Sequence, residues 1–194
     1  MNKKETLPSA YFDKLYTDNP DPWSFETSAY EEQKYAATVA ALPRELYESA
    51  LEIGCSIGVL TLKLAQHCSK LLSIEPSLPA LDRARARLAN VKHVTFQQGG
   101  IPDGFPPGHY QLIVLSEVGY YLSMNDLRRS KVMIENNISA HGDLVLVHWT
   151  HFVEDYPLNG HAVHDLFIED RVHWQSHLHW KTADYRLDVL KRLP

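Results

Sequence analysis

The 194-residue sequence predicts one α/β domain with a mostly parallel, twisted sheet, helices on both faces and an antiparallel hairpin near the C-terminus. Three observations support this fold class. Between residues 50 and 150, short apolar runs alternate with segments of helical periodicity, as in strands joined by right-handed crossovers. The run 110–118 is almost continuously apolar, which is typical of a strand covered on both faces. Residues 172–193 instead hold two strand-like runs around the turn KTAD, which predicts the hairpin.

Each element has local signals of its own. Residues 1–28 are predicted to be irregular, because the stretch DNPDPWSFETS holds two prolines and several turn formers. A helix from Ala29 to Leu42 is predicted next, capped by Ser28 and followed by Pro43. The later elements are, in chain order, a strand at 49–54, a helix at 58–68, a strand at 71–76, a helix at 78–89, strands at 93–99 and 110–118, a helix at 126–138 and a strand at 142–150.

Composition and charge exclude several classes of protein. The hydrophobic fraction of 44% and the charged fraction of 22% are those of a globular chain, not a disordered one. Two cysteines, Cys55 and Cys68, are too few for a disulfide scaffold, and no Cys-x-x-Cys is present. A net charge of -5 argues against a nucleic-acid partner. With no signal peptide and no long apolar run, the sequence predicts a cytoplasmic protein with no membrane partner, and it leaves the oligomeric state open.

A glycine-containing turn follows the first predicted strand, in the sequence LEIGCSIG at 51–58. Glycine lets a ligand approach the backbone, and the helix behind the turn offers free N–H groups. A dinucleotide site would read G-x-G-x-x-G, but the third glycine is missing here. Glu75 ends the second strand 21 residues after Gly54, and its two oxygens can accept both hydroxyls of a ribose. The alternative interpretation is an ordinary tight turn and a solvated acid.

The turn and its surroundings resemble those of class I S-adenosylmethionine (SAM) methyltransferases, whose first motif is acid-x-Gly-x-Gly-x-Gly. Here the motif runs from Glu52 to Gly58, with Ser56 in place of the middle glycine. The resemblance implies a Rossmann-like fold and SAM as cofactor, with Glu75 on the ribose. Gly100 stands where the family often has an acid for adenine, so adenine would be recognised by the Ile101 backbone, by packing or by another acid. The implied SAM-binding residues in these motifs are Gly54, Cys55, Ser56, Gly58, Glu75, Pro76, Ser77, Gly100, Ile101, Ser116, Glu117 and Val118.

A narrower resemblance covers residues 20–42, which are similar to the N-terminal segment of the nodulation protein S (NodS) family. The specific points are Asp-Pro-Trp at 21–23 and the Glu/Gln run before Lys34. The resemblance implies methylation of the free amine of a de-N-acetylated glucosamine unit in a chitin-like oligosaccharide. Family members carry arginine where Lys34 stands, and either cation can hold the SAM carboxylate. Residues 1–42 would then form a lid and helix segment with Trp23 over the cofactor, 43–150 the cofactor core and 151–194 the acceptor side.

The acceptor is expected at the carboxyl ends of the fourth and fifth strands, where open parallel sheets bind ligands. Glu117, Tyr120 and His148 are the predicted catalytic residues, and Tyr121, Trp149 and His151 the predicted acceptor-binding residues. His161 and His164 have the spacing of a helical metal pair, but no HExxH or cysteine cluster supports them, so no metal is predicted.

Three other functions stay open at this stage. An O-methyltransferase acting on a sugar or a small natural product would need a base near the acceptor hydroxyl, which the histidines offer. A SAM-binding module without activity is suggested by the departures at Ser56 and Gly100. An NAD oxidoreductase is disfavoured by the missing third glycine.

Overall fold

The computed structural model describes residues 5–194, which divide into two compact units. The N-terminal unit comprises residues 8–100, and the C-terminal unit comprises residues 5–7 and 101–194. The N-terminal unit contains α1 (Ser9–Asp18), α2 (Ala29–Ala40), β1 (Ala50–Ile53), α3 (Val59–Leu64), β2 (Leu71–Glu75), α4 (Leu78–Arg87) and β3 (Val94–Gln98). The C-terminal unit contains β4 (Tyr110–Ser116), α5 (Met124–Asn137), β5 (Ile138–Trp149), α6 (Gly160–Ile168), β6 (Trp174–Lys181) and β7 (Tyr185–Arg192). The prediction of one domain over the whole chain stays a prediction.

The sheet of the N-terminal unit is parallel throughout, with the order β3-β2-β1. Ile53 of β1 pairs with Ile74 of β2, and both side chains are fully buried. The predicted alternation of strands and helices is confirmed here, with strand bounds within about two residues of the prediction. The register brings the C-terminal ends of β1 and β2 side by side, so the glycine turn and Glu75 start from the same edge.

The sheet of the C-terminal unit has the order β4-β5-β7-β6. β4 and β5 are parallel, whereas β7 is antiparallel to both β5 and β6. The predicted C-terminal hairpin is therefore confirmed. Its inner strand is the more apolar one, because Leu187, Val189 and Leu190 of β7 are fully buried while most of β6 is exposed.

The prediction that residues 1–28 are irregular is wrong where it covers α1. No side chain caps this helix, so local signals for it are weak. Its position comes from tertiary contacts: Tyr16 is buried in a cluster with Ile57 and Ala80, and Asp13 accepts the backbone N–H of Leu78 at 3.2 Å. The part of the prediction that concerns residues 1–4 lies outside the described residues.

The helix predicted after Ser28 is confirmed, and the Ser28 hydroxyl accepts the Glu31 N–H at 3.3 Å. The predicted helix at 58–68 is an α-helix only to Leu64, with a 3-10 turn over Ala65–His67. Within residues 5–194, no helix has both the length and the apolar character that crossing a membrane would require.

Gly58 is the residue where the turn most needs glycine. Its φ of +82° lies in the left-handed region, and a Cβ there would come within 3.0 Å of Ala84 and Leu88. Gly58→Ala should therefore lower the free energy of unfolding by about 1–3 kcal/mol in chemical denaturation. Gly100→Ala is the matched control, since its nearest neighbour would be Pro76 at 3.5 Å, an ordinary contact. Equal effects of the two substitutions would contradict the prediction.

Candidate functional site

Glu75 connects the glycine turn to the start of α4. Its Oε2 accepts the Ser56 N–H at 2.9 Å, and its Oε1 accepts the Ser77 N–H at 3.0 Å. Gly54, Ser56 and Gly58 all have positive φ. The Ser56 amide of this turn points to the carboxylate, whereas the Gly54 and Cys55 amides donate to the Ile74 carbonyl. Each oxygen keeps a second lone pair, so the carboxylate can still accept a ligand hydroxyl.

Tyr16 is a site residue that sequence reasoning missed. Its hydroxyl hydrogen-bonds the Ser56 hydroxyl, and its ring is in edge contact with Trp23 at 5.7 Å between centroids. Ser56 is the residue that replaces the family's middle glycine. Its side chain is held in place by Tyr16 of α1. The available signal was the spacing of Phe12 and Tyr16, which share one helical face.

Ser77 has a buried hydroxyl that lacks a hydrogen-bond partner within residues 5–194. The residue occupies the N-cap position of α4, but its side chain makes no cap hydrogen bond. Asp13 accepts the first amide of the helix instead. A buried hydroxyl without a partner beside Glu75 is a candidate contact for a polar ligand.

Burial raises the pKa of Glu75 to about 7, although the Ser77 and Ser56 amides oppose the shift. Burial likewise raises the pKa of Glu52 to about 7, against hydrogen bonds from Thr61 and Ser73. Both hydroxyls donate to the same oxygen of Glu52, at 2.6 and 2.8 Å. The turn is therefore flanked by two carboxyls that change charge near neutral pH.

Lys34 is buried on α2, where its ammonium donates to Glu31 at 3.0 Å and lies 5.2 Å from the Tyr30 ring centroid. Tyr30 and Lys34 therefore share one face of α2. Trp23 is partly buried, stacks on Phe25 at 5.5 Å and packs against the cluster of Tyr16 and Ile57. The roles of Lys34 and Trp23 in holding the cofactor stay predictions.

The other cofactor candidates have simpler surroundings. Cys55 is buried and reduced, and burial raises its thiol pKa well above the ordinary value, as befits a packing residue. The Pro76 carbonyl accepts from the Gln98 side chain at 3.2 Å, and Gly100 lies beside the Pro76 ring. In the C-terminal unit, Ile101 and Ser116 are buried and Val118 is partly buried.

Glu117 follows β4 with a φ of +57°, an uncommon conformation for a glutamate. Its Oε2 accepts the Tyr120 hydroxyl at 2.5 Å and the Trp149 N–H at 3.1 Å. Burial and the nearby Glu117 raise the pKa of Tyr120 well above its ordinary value, so the phenol stays protonated. Tyr120 therefore donates its hydroxyl hydrogen to the Glu117 carboxylate.

Three tyrosines cluster next to this carboxylate. Tyr156 stacks on Tyr120 at 5.2 Å between centroids and meets Tyr121 edge-on at 4.8 Å. Sequence reasoning missed Tyr156, because it lies in the loop between β5 and α6. The Trp149 and His151 rings are 4.6 Å apart, and exposed His151 contacts Asp184 at 2.9 Å.

His148, a predicted catalytic residue, is fully buried. Its Nε2 accepts the Gly119 N–H at 3.1 Å, and its Nδ1 lies 3.0 Å from His164 Nε2. In this structure His148 therefore packs behind the Gly119–Tyr121 turn, and direct contact with an acceptor is not supported by its geometry.

One cluster among the described residues has the composition of a metal site, namely Glu135, Asp170 and His173. Lys131 already pairs with both Glu135 and Asp170. The lysine supplies the positive charge that a metal would bring, so we assign no metal to this cluster.

A family model and several curated relatives give the same family. The family described as Nodulation protein S (NodS) matches residues 13–147. The chain belongs to the NodS family, within the class I SAM-dependent methyltransferases. Nodulation protein S of Bradyrhizobium diazoefficiens is 34% identical over 120 residues, which are 61% of this chain and 56% of that protein. The chain spans about half the length of the curated relatives it matches.

Solved structures show the fold. A chain from Pseudomonas syringae is 36% identical, with a TM-score of 0.75, and the match covers 85% of this chain and 100% of the other. The N-methyltransferase NodS from Bradyrhizobium japonicum WM9, in complex with S-adenosyl-L-homocysteine (SAH), is 22% identical with a TM-score of 0.84, covering 95% and 98%. This NodS-family chain has the Rossmann-like class I methyltransferase fold, with seven mostly parallel strands and antiparallel C-terminal strands.

The buried carboxyl of Glu52 should make the stability of this NodS-family chain depend on pH. Its pKa is about 7 when folded and about 4.3 when unfolded, so the unfolded state loses its proton first as the pH rises. The free energy of unfolding should fall between pH 5 and 7. Glu52→Gln should flatten this slope in denaturation at several pH values, since one amide oxygen can accept both hydroxyls. Exposed Glu45→Gln is the control, and an unchanged slope in Glu52→Gln would contradict the prediction.

Proposed function

We propose that the chain is a SAM-dependent methyltransferase that N-methylates the free amine of an amino sugar, a de-N-acetylated glucosamine unit in a chitin-like oligosaccharide. The observation that carries the proposal is the Glu117 carboxylate, held by Tyr120 and the Trp149 amide at the end of β4 in a NodS-family chain. The proposed acceptor residues lie in the C-terminal unit, and most of the proposed cofactor residues lie in the N-terminal unit.

The residues of the glycine turn fit SAM. Glu75 keeps acceptor capacity for the ribose hydroxyls. Two residues further on, the buried Ser77 hydroxyl has no hydrogen-bond partner among residues 5–194. Gly54 and Gly58 leave the backbone of the turn open to close approach. Lys34, a buried cation on α2, would hold the carboxylate of the cofactor.

For methyl transfer from SAM to an amine, the main task of the protein is to position the two reactants. When bound, SAM supplies an electrophilic methyl group on a positively charged sulfur. The chain must align the lone pair of a neutral amine with that group at about 3–3.5 Å and exclude water, which can contribute roughly 7–11 kcal/mol. A glucosamine amine is partly neutral near pH 7, so a strong base is not required.

Glu117 suits this task because it can accept a hydrogen bond from an amine N–H and take up its proton. Tyr120 and the Trp149 amide both donate to Oε2, which fixes the orientation of the carboxylate. Tyr121, Trp149 and His151 would provide flat and polar surfaces for the sugar. A hydroxyl acceptor would instead need a stronger base, and His148 is fully buried.

Glu75→Ala should weaken the binding of SAH, measured by calorimetry. Loss of a charged acceptor costs about 1.5–3 kcal/mol, or roughly ten- to a hundredfold in affinity. Asp82→Ala, an exposed acid on α4, is the control and should bind as the wild type does. An affinity of Glu75→Ala within about twofold of the wild type would place the ribose elsewhere.

The acceptor is tested with a pair of chitooligosaccharides, one with a free terminal amine and its fully N-acetylated twin. With SAM present, mass spectrometry should find one added methyl group on the nitrogen of the first compound and none on the second. Equal methylation of both would indicate an O-methyltransferase. Binding of SAH without turnover on either sugar would contradict the amino-sugar acceptor and leave the binding-module alternative for further acceptors to test.

A further inference from the structure

A buried chain of hydrogen bonds runs behind the acceptor residues of the C-terminal unit. The Gly119 N–H meets His148 Nε2 at 3.1 Å, His148 Nδ1 meets His164 Nε2 at 3.0 Å, and His164 Nδ1 meets Asp188 Oδ2 at 2.5 Å. His148, His164 and Asp188 have no exposed surface. Burying three polar side chains lowers the stability of the fold unless every group is hydrogen-bonded. A fully paired network of this kind holds its neighbours rigidly.

The two ends of the chain fix where its protons lie. The Gly119 amide can only donate, so His148 Nε2 accepts and its proton sits on Nδ1. That proton is donated to His164 Nε2, which leaves the His164 proton on Nδ1, facing Asp188. Burial lowers the pKa of His164, in agreement with a neutral ring.

Asp188 anchors the far end. Burial alone would raise its pKa, but hydrogen bonds from His164 and His179 and the charge of Arg186 lower it below the ordinary value. Arg186 donates to Asp188 at 2.7 Å and to Asp165 at 2.6 Å, which couples β7 to α6. The carboxylate therefore stays ionised and keeps His164 in one tautomer.

The contact between the Gly119 backbone and His148 requires a residue without a side chain. A Cβ there would lie 2.5 Å from Val163 Cγ1 and 3.1 Å from His148 Nε2. Only glycine lets the backbone of the Gly119–Tyr121 turn approach α6 and the imidazole closely. The same turn carries Tyr120, whose hydroxyl bonds Glu117, and the Tyr120 ring meets His148 edge-on at 5.5 Å.

We infer that His148 is a positioning residue, which fixes the Gly119–Tyr121 turn so that Tyr120 holds the Glu117 carboxylate for the acceptor. The chain is not a route for the acceptor's proton, because it starts at a backbone amide that does not titrate. This inference rests on the proposed function, since Glu117 and Tyr120 are assigned to the acceptor there.

Two substitutions separate the two hydrogen bonds of His148. The amide group of glutamine reaches the position of Nε2 and can accept the Gly119 N–H, whereas asparagine stops at Nδ1 and leaves that N–H without its acceptor. His148→Asn should lower kcat for the free-amine acceptor at least about tenfold with little change in SAH affinity. His148→Gln should retain kcat within about threefold.

A second readout does not depend on activity. In ¹⁵N-labelled protein, exchange of the Gly119 amide with solvent should speed up at least about tenfold in His148→Asn but little in His148→Gln. If the wild type methylates no amino sugar, the proposed function fails while this readout still tests the positioning. Unchanged Gly119 exchange in His148→Asn would overturn the inference, whatever the activity.

A double mutant with Tyr120→Phe and a control substitution distinguish positioning of Tyr120 from general destabilisation. Because His148 is expected to act through Tyr120, its loss should cost much less in a Tyr120→Phe background, whereas additive losses would contradict the inference. Ile134→Val, in the core of α5, is the control for general destabilisation and should keep kcat. If His148→Asn fails to fold, His164→Leu tests the same point, since it frees the His148 tautomer and should also lower kcat and speed Gly119 exchange; no change in either would overturn the inference.

Discussion

The bridge made by Glu75 is the interaction on which the glycine turn of the N-terminal unit depends. One carboxylate accepts a backbone amide from the glycine turn and another from the start of α4, so it holds two loops that leave neighbouring strands. Its burial would be unfavourable without those two donors. The turn contributes three residues with positive φ, and Tyr16 fixes the one that is not glycine. A ligand that binds here meets a surface already set by these bonds.

The C-terminal unit also fixes a carboxylate through hydrogen bonds, with different groups. A carboxylate, Glu117, sits at the end of a parallel strand in an uncommon backbone conformation, and neighbouring donors fix its orientation. The supporting chain of His148, His164 and Asp188 is fully paired. In each unit, hydrogen bonds within the protein hold the carboxylate in position without a ligand.

Much of the fold could be predicted because its signals are local. The apolar runs at β1, β2 and β4 and the helical periodicity of α4 and α5 depend on neighbouring residues alone. The turn at 54–58 and Glu75 were identifiable because their spacing follows from the length of one crossover. α1 was missed because its helix is stabilised by Tyr16 and Asp13, which contact residues 40 and 65 positions away.

The sequence by itself determined the alternation of strands and helices, the glycine turn and the two acids at the ends of β2 and β4, since hydrophobic period and spacing encode them. Only the tertiary structure decided where His148 and His164 lie and what they contact. His148 lies two residues before the end of the predicted strand 142–150 and is indistinguishable in sequence from a residue facing a ligand. Whether it faces solvent or Gly119 depends on how closely α6 packs and on where Asp188 of β7 falls, and both are set by contacts distant in the chain.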